Sequence, residues 1–353
     1  MNRNSLLRPL FAVALIAAGS SAEARDQIHI VGSSTVYPFA SYVGEELGAT
    51  SRNKTPIIES TGTGGGMKLF CTGAGMDTPD IVNASRRMKE AEFKACEAAG
   101  VSGIVETTIG YDGIVMAQSR EAAPMALSRN DVLLAIAAMV PNKNGDLIPN
   151  PYKTWNQINP KLPNRPILIY GPPTSSGTRD AFEELAMSSQ TKNLEEYIGL
   201  YEADPKKYAA FKEYHVIRTD GLYVPSGEND NLIVQKLLKD AHAIGIFGYS
   251  YLEENADRLT GITIDKVEPT PATIAGGKYP YSRSLYFYIK SQHEAQMPAM
   301  AAYINLFLGE AMIGDKGALS RIGLIPMAKG LRDGVRASVG KRTALSVREL
   351  RKK

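Results

Sequence analysis

The chain has 353 residues, of which 44% are hydrophobic and 22% are charged. Because this is more chain than one hydrophobic core usually accommodates, we expect a soluble globular protein with two lobes or domains. The strand-to-helix patterns described below indicate that its fold class is α/β. The formal net charge of +3 is concentrated in the basic C-terminal tail, residues 329–353, which has nine Lys or Arg and two acids. The rest of the chain is net acidic, and no basic groove on it favours nucleic acid as a partner.

The N-terminus has the pattern of an export signal. Arg3 and Arg8 precede the apolar stretch Leu10–Ala18, and small residues then lead to Ala22-Glu-Ala24. This order predicts that residues 1–24 are a signal peptide cleaved after Ala24. The apolar run is shorter than the about 20 residues of a membrane-spanning helix. A buried N-terminal helix is the alternative to a signal peptide.

Cys71 and Cys96 are the only cysteines, and export would place both in an oxidising compartment. We therefore predict a disulfide, which contributes about 3 kcal/mol by closing a loop of this length. Two buried free thiols are the alternative. With two Cys and four scattered His, we expect neither a metal site nor a cofactor.

Three strand-to-helix junctions in the first hundred residues contain small polar residues. We predict strands over residues 28–31, 56–60 and 80–84, with helices that begin near residues 39, 67 and 89. The junctions hold Ser33, Ser34 and Thr35, then Thr61–Gly66, then Ser85 with Arg86. Helix N-termini leave backbone N–H groups unpaired and carry partial positive charge, so each junction suits an anion. The alternatives are a plain flexible loop at the glycines and a surface ion pair for one of Arg86 and Arg87.

The middle of the chain predicts a crossing between lobes. Gly103–Ala117 is rich in β-formers but is interrupted by the glycines of Gly110–Gly113, and such a break can mark a crossing strand. A helix is predicted over Ser128–Met139 with Ser128 as its N-cap, and Trp155 is predicted to lie in the core.

The fourth junction follows the predicted strand Ile167–Tyr170. In Gly171–Asp180, the amides of Ser176, Gly177 and Thr178 can bind an oxyanion, and Arg179 adds charge. The alternative is an ordinary N-cap at Ser175 or Ser176 for a helix over residues 181–187.

The C-terminal half contributes further elements and a possible return crossing. Helices are predicted over residues 193–214, 232–240, 297–308 and 310–312, with a polar loop at 221–231 and a strand at 284–289. The apolar, glycine-punctuated Ala243–Tyr249 is interpreted as the return strand. No helix is predicted with confidence in the tail.

The four junctions share one chemistry, which predicts a single crevice for a small tetrahedral oxyanion. Their motifs, together with the last strand, stand in the order of a known family: Gly32-Ser-Ser-Thr-Val-Tyr-Pro38, Thr61-Gly-Thr-Gly-Gly-Gly-Met-Lys68, Asp80-Ile-Val-Asn-Ala-Ser-Arg86, Ser176-Gly-Thr-Arg179 and Ala243-Ile-Gly-Ile-Phe-Gly-Tyr249. The chain resembles the periplasmic phosphate-binding proteins of high-affinity phosphate ABC transporters over roughly residues 28–325.

The resemblance implies a two-lobed periplasmic-binding-protein fold. Each lobe would be a mixed sheet flanked by helices, with a two-strand hinge between lobe I (residues 25–110 and 245–328) and lobe II (residues 111–244). It further implies a periplasmic monomer that binds inorganic phosphate between the lobes and delivers it to membrane permease subunits. The implied ligands are Ser34, Thr35, the Val36 amide, Thr63, Ser85, Arg86, Ser176, Gly177, Thr178 and Arg179.

Two positions depart from the family pattern. Arg86 stands where some members have an Asp that accepts the phosphate proton, and Pro172 stands where many have an Arg. We therefore expect Arg86 and Arg179 to supply the charge. The proton acceptor that separates phosphate from sulfate could be Asp112, Glu228 or Asp230.

Other functions compete with this interpretation. A secreted phosphatase with Ser176 or Ser34 as nucleophile would need a base or a metal nearby, and no His lies in any junction, so an enzyme is not expected. A binding protein for sulfate, arsenate or molybdate, or a phosphate-sensing or adhesin role on the same fold, remains open. The basic tail could contact the permease, contact an anionic membrane surface, or fold back as a helix.

Overall fold

The computed structural model describes residues 25–144, 146–174, 176–191, 216–227 and 230–351. Four predicted features lie outside the described residues: the predicted signal peptide, Ser175, the helix predicted over residues 193–214 and the predicted acceptor Glu228. Within the described ranges, no helix is long and apolar enough to cross a membrane.

The described chain contains both helices and strands along its whole length. The strands are β1 (His29–Gly32), β2 (Ile57–Ser60), β3 (Ile81–Ala84), β4 (Ile104–Ser119), β5 (Ala126–Leu127), β6 (Met139–Pro141), β7 (Leu147–Pro149), β8 (Ile169–Gly171), β9 (Tyr223–Pro225), β10 (Ile244–Gly248), β11 (Leu259–Gly261), β12 (Thr263–Ile264) and β13 (Ser282–Lys290). The helices are α1 (Tyr37–Thr50), α2 (Gly62–Phe70), α3 (Glu90–Ala98), α4 (Arg129–Ile136), α5 (Trp155–Ile158), α6 (Gly177–Phe182), α7 (Ser189–Thr191), α8 (Asn231–Leu237), α9 (Tyr249–Glu254), α10 (Pro271–Ala275), α11 (Ala299–Phe307), α12 (Glu310–Ile313), α13 (Lys329–Gly340) and α14 (Val347–Leu350). A π-helical turn, Glu183–Ser188, joins α6 to α7.

Two mixed sheets share the long strand β4. Its first part pairs antiparallel with β13, which continues the sheet to β3, β1 and β2. Its second part pairs antiparallel with β10 and β11, and β10 continues in parallel to β8 and β9. The predicted α/β architecture of two mixed sheets, each flanked by helices, is confirmed.

The two sheets have separate hydrophobic cores, and β4 and β13 cross between them. Along β4, Ile109 lies in the first core and Ile114 in the second, so the predicted crossing near Gly110–Gly113 is observed inside a continuous strand. The return lies in β13, because Tyr281 belongs to the second core and Leu285 to the first.

This return differs from the one predicted at Ala243–Tyr249. That segment forms β10, which lies within the second sheet between β4 and β8 and buries its apolar residues in the second core. A strand covered on both faces gives the same continuous apolar pattern as a crossing strand, so the pattern could not separate them. We therefore propose that lobe II extends from residue 111 to about 281, and that lobe I comprises residues 25–110 and 282–328.

The glycine-rich segment is the first turn of α2, not a loop that ends before Met67. The helix begins at Gly62, and its fifth residue, Gly66, packs directly on the end of β1. A Cβ atom at Gly66 would lie 2.5 Å from the Cα atom of Gly32, which explains why a glycine is needed there. The close packing holds the start of α2 beside the end of β1.

The predicted disulfide between Cys71 and Cys96 is confirmed, with Cα atoms 4.2 Å apart. Cys71 ends α2 and Cys96 lies in α3, so the bond joins the two helices that follow the second and third junctions. Trp155 is fully buried in the second core, as predicted.

The basic tail folds back on lobe I, which is the third of the three predicted alternatives. Its helices are fixed by long-range ion pairs between tail arginines and body acids: Arg332 with Glu310 and Asp315, Arg336 with Glu310, Arg342 with Glu294, and Arg351 with Glu90. The sequence did not predict α13 and α14 because the contacts that hold them to the body, these ion pairs together with the burial of Val339 and Leu345, join residues far apart in the chain.

Candidate anion-binding site

Two cavities lie where the lobes meet, and the turn after β1 lines both of them. The smaller has a volume of about 280 Å³ and the larger about 660 Å³, and Ser34 and Thr35 border each. The smaller is lined by Ser33, Ser34, Thr35, Gly62, Thr63, Gly64, Ser85, Arg86, Asp180, Glu184 and Arg283. The larger receives Ser176, Gly177 and Thr178 together with Asp112 and Asp230. Residues of all four predicted junctions therefore converge on one interlobe region.

The lobe I side offers hydroxyls and open amides. The Thr63 hydroxyl lies 3.0 Å from the Ser85 hydroxyl and accepts a hydrogen bond from the Ser85 amide. The N-cap residue of α2, Thr61, makes no side-chain cap, so the first N–H groups of this glycine-rich helix face the smaller cavity without a capping side chain. This arrangement suits an oxyanion that accepts several hydrogen bonds at once.

The lobe II side is a capped helix start. Ser176 is the N-cap of α6, and its hydroxyl accepts a hydrogen bond from the Thr178 amide. The N-cap alternative is thus realised at Ser176, and the same three residues also line the larger cavity. The Ser176 side chain therefore caps the helix, while the start of the helix faces the cleft.

The lobes touch each other directly at this point. The Ser34 hydroxyl donates to the Asp180 carboxylate at 2.9 Å, and the Thr35 hydroxyl donates to the Gly177 carbonyl at 3.2 Å. A Cβ atom at Gly177 would lie 2.7 Å from the Ser34 carbonyl group. The structure therefore shows the cleft in a closed arrangement that depends on a glycine at position 177.

The two predicted arginines are differently placed. Arg86 lines the smaller cavity, but both of its terminal nitrogens donate to the Glu92 carboxylate, at 2.7 and 2.9 Å. Arg179 borders neither of these two cavities. Its buried guanidinium pairs with Glu183, donates to the Pro172 carbonyl and stacks over the Tyr223 ring. The prediction that Arg179 carries charge into the site is therefore corrected, because the helix turns this side chain toward the lobe II interior.

Two of the three predicted proton acceptors line the larger cavity. Asp230 is buried, accepts a hydrogen bond from the Gly248 amide through Oδ2, and leaves Oδ1 without a partner among the described residues. Burial raises the pKa of Asp230 to about 6, and the nearby carboxylate of Asp112 adds to the rise. Burial also raises the pKa of Asp112, against the opposing effect of Arg283.

Replacing Asp230 by asparagine is expected to stabilise the protein more at pH 8 than at pH 4.5. The folded-state pKa of about 6 exceeds the unfolded value of 3.8, so the favourable contribution of the protonated form is lost as pH rises through 6. The advantage of Asp230→Asn should therefore grow by about 2 kcal/mol between these pH values. Urea unfolding measures it, with the exposed Asp257→Asn as the control that should show no such growth. An advantage that does not change with pH would contradict this account of Asp230.

Comparison with known proteins assigns the family. The model of the PBP superfamily domain matches residues 17–311. The chain belongs to the PBP superfamily. This membership confirms the predicted fold and the recognised resemblance.

Relatives in the PBP superfamily cover most of the chain. Protein SphX of Synechococcus elongatus is 28% identical over 336 residues, which is 93% of this chain and 86% of that protein. The phosphate-binding protein PstS of Staphylococcus saprophyticus is 28% identical over 262 residues, 73% of this chain and 68% of that protein. The crystal structure of a possible phosphate binding protein from Planctomyces limnophilus has a TM-score of 0.70 and 27% identity, covering 90% of this chain and 98% of its own.

The sequence missed three charged residues of this PBP-superfamily cleft. Asp180 was named only as the last residue of the fourth junction, and Glu184 and Arg283 were not considered. Arg283 lies at the start of β13, far along the chain from any junction, and no local motif marks it. Val36 is buried and borders neither of the two cavities; its amide lies 3.4 Å from the Ser33 hydroxyl.

Proposed function

We propose that this chain binds inorganic phosphate between its lobes, in the periplasm, and delivers it to the permease of an ABC-type importer. The observation that carries the proposal is the convergence of four strand-to-helix junctions on one interlobe region rich in hydroxyls and helix N-termini. Membership of the PBP superfamily and the phosphate-binding names of its relatives support the same ligand. Cleavage after Ala24 and a monomeric state are parts of this proposal.

The proposed ligand set follows the cavity lining. Ser34, Thr35, Thr63 and Ser85 would act from lobe I, and the helix start Ser176–Thr178 would act from lobe II. Arg86 stays in the set as a source of positive charge near the smaller cavity. Val36 and Arg179 are left out, because neither lines either of these two interlobe cavities.

Isothermal titration of the phosphate-free protein, residues 25–353, tests the proposal. Phosphate should give saturable heat at one site per chain, and sulfate and molybdate should bind at least about 100-fold more weakly, the discrimination expected when a buried acceptor is left unpaired. Arsenate is the closest mimic, because it has the same shape and carries a proton at neutral pH. No heat with phosphate would overturn the proposal, and tighter binding of sulfate would favour the other oxyanion function.

A further inference from the structure

Arg283 lies at the hinge and faces the same cavity as the predicted phosphate ligands. It pairs in register with Asp112 across the two crossing strands, β13 and β4, and its side chain is only 8% exposed. Together with Ser34, Thr63 and Ser85 it lines the smaller cavity. A largely buried guanidinium therefore lies where lobe I, lobe II and the hinge meet.

The hydrogen bonds of Arg283 connect all three parts of the cleft. Nη2 donates to the Thr35 hydroxyl at 2.7 Å, and Nη1 donates to the Glu184 carboxylate of lobe II at 3.0 Å. Nε lies 3.6 Å from Oδ2 of Asp112 and has no hydrogen-bond partner among the described residues. The Nε side of Arg283 thus faces Asp112 at the hinge, while its two terminal nitrogens donate to Thr35 and Glu184 at the cleft.

The partner of Arg283 in lobe II can be exchanged for a ligand. The Glu184 side chain is 47% exposed and can return to water when the lobes move. Arg86, by contrast, is held by the two oxygens of Glu92 on its own lobe, and Arg179 is turned away from the cleft. An arginine fork binds tetrahedral oxyanions as it binds carboxylates, through two parallel charge-assisted hydrogen bonds.

We propose that Arg283 is the guanidinium that binds the oxyanion, replacing the arginine that the family pattern places at position 172. Glu184 accepts a hydrogen bond from the terminal nitrogen, Nη1, that phosphate would take, so Glu184 competes with the ligand. The inference rests on the proposed function and adds to it the source of positive charge and an internal competitor.

Titration of the Arg283→Gln and Glu184→Gln variants with inorganic phosphate tests this inference. Arg283→Gln should raise Kd about 10- to 100-fold, the loss expected for one charge-assisted pair, and Arg283→Lys should fall between it and the wild type. Glu184→Gln should lower Kd several-fold, because the competing carboxylate is gone. Arg129→Gln, which breaks an exposed ion pair with Asp265 elsewhere in lobe II, is the control and should leave Kd unchanged.

The opposite changes in Kd expected for the two glutamine variants distinguish a ligand-binding role of Arg283 from a role in holding the lobes together. If Arg283 and Glu184 only held the lobes together, both glutamine variants would weaken phosphate binding, and that result would overturn the inference. Binding by Arg283→Gln within threefold of the wild type would overturn it as well. Should Arg283→Gln fail to fold, Arg283→Lys takes its place, and a Kd for Arg283→Lys equal to that of the wild type would overturn the inference. A wild-type protein that binds no phosphate would overturn the proposed function and this inference together.

Discussion

Gly177→Ala is expected to weaken phosphate binding by about 100-fold, or about 2.7 kcal/mol, which is within the range for one lost charge-assisted hydrogen bond. The added Cβ atom would lie 2.7 Å from the carbonyl carbon and oxygen of Ser34 and 2.9 Å from the Thr35 amide nitrogen. These are backbone atoms of the opposite lobe, so they cannot move aside without opening the cleft. A ligand held from both sides then loses its contacts with one lobe.

The stability of the Gly177→Ala protein should be nearly unchanged. Gly177 begins α6, where alanine favours a helix more than glycine does, and none of the three hydrophobic clusters of the described residues contains position 177. Isothermal titration measures the affinity and urea unfolding the stability. Gly334→Ala is the matched control, because a Cβ there meets no atom within 4 Å. A Kd for Gly177→Ala within threefold of the wild type would contradict the closed arrangement.

Removing the Cys71–Cys96 disulfide is expected to lower the free energy of unfolding by about 3 kcal/mol. The bond closes a loop with a sequence separation of 25 and so restricts the unfolded chain. Urea unfolding of the Cys71→Ser/Cys96→Ser double variant measures the loss.

Reductant provides the internal control for the disulfide. Dithiothreitol should shift the unfolding midpoint of the wild type toward that of the double variant and leave the double variant unchanged. A wild-type midpoint that reductant does not move would show that the disulfide contributes little to stability.

The four strand-to-helix junctions could be predicted because their chemistry is local. A strand, a turn with small hydroxyl residues and a helix start follow one another along the chain, so Ser34, Thr63 and Ser176 were found without knowledge of the fold. The long strand with Gly110 was predicted as a crossing for the same reason. Its glycine has a positive φ of 154°, and a Cβ there would lie 2.8 Å from the Ile325 carbonyl oxygen.

Features that depend on distant contacts could not be predicted. Arg179 and Arg283 each stand without another arginine close by in the sequence. Only the fold shows that Arg179 faces the lobe interior and that Arg283 faces the cleft. The return crossing lies in β13, whereas the sequence predicted it in β10. The reason is that β10, buried between two strands, has the apolar pattern of a crossing strand. Helix α13 was missed because Arg332 and Arg336 bind acids about 20 residues away in sequence.

A crystal structure of the protein grown with phosphate tests the central claim most directly. The account predicts one phosphate enclosed between the lobes, within hydrogen-bond distance of Thr63, Ser85 and the Ser176–Thr178 helix start. Arg283 should then contact the phosphate in place of Glu184. A cleft that stays empty at millimolar phosphate, or a phosphate bound only outside the cleft, would contradict the account.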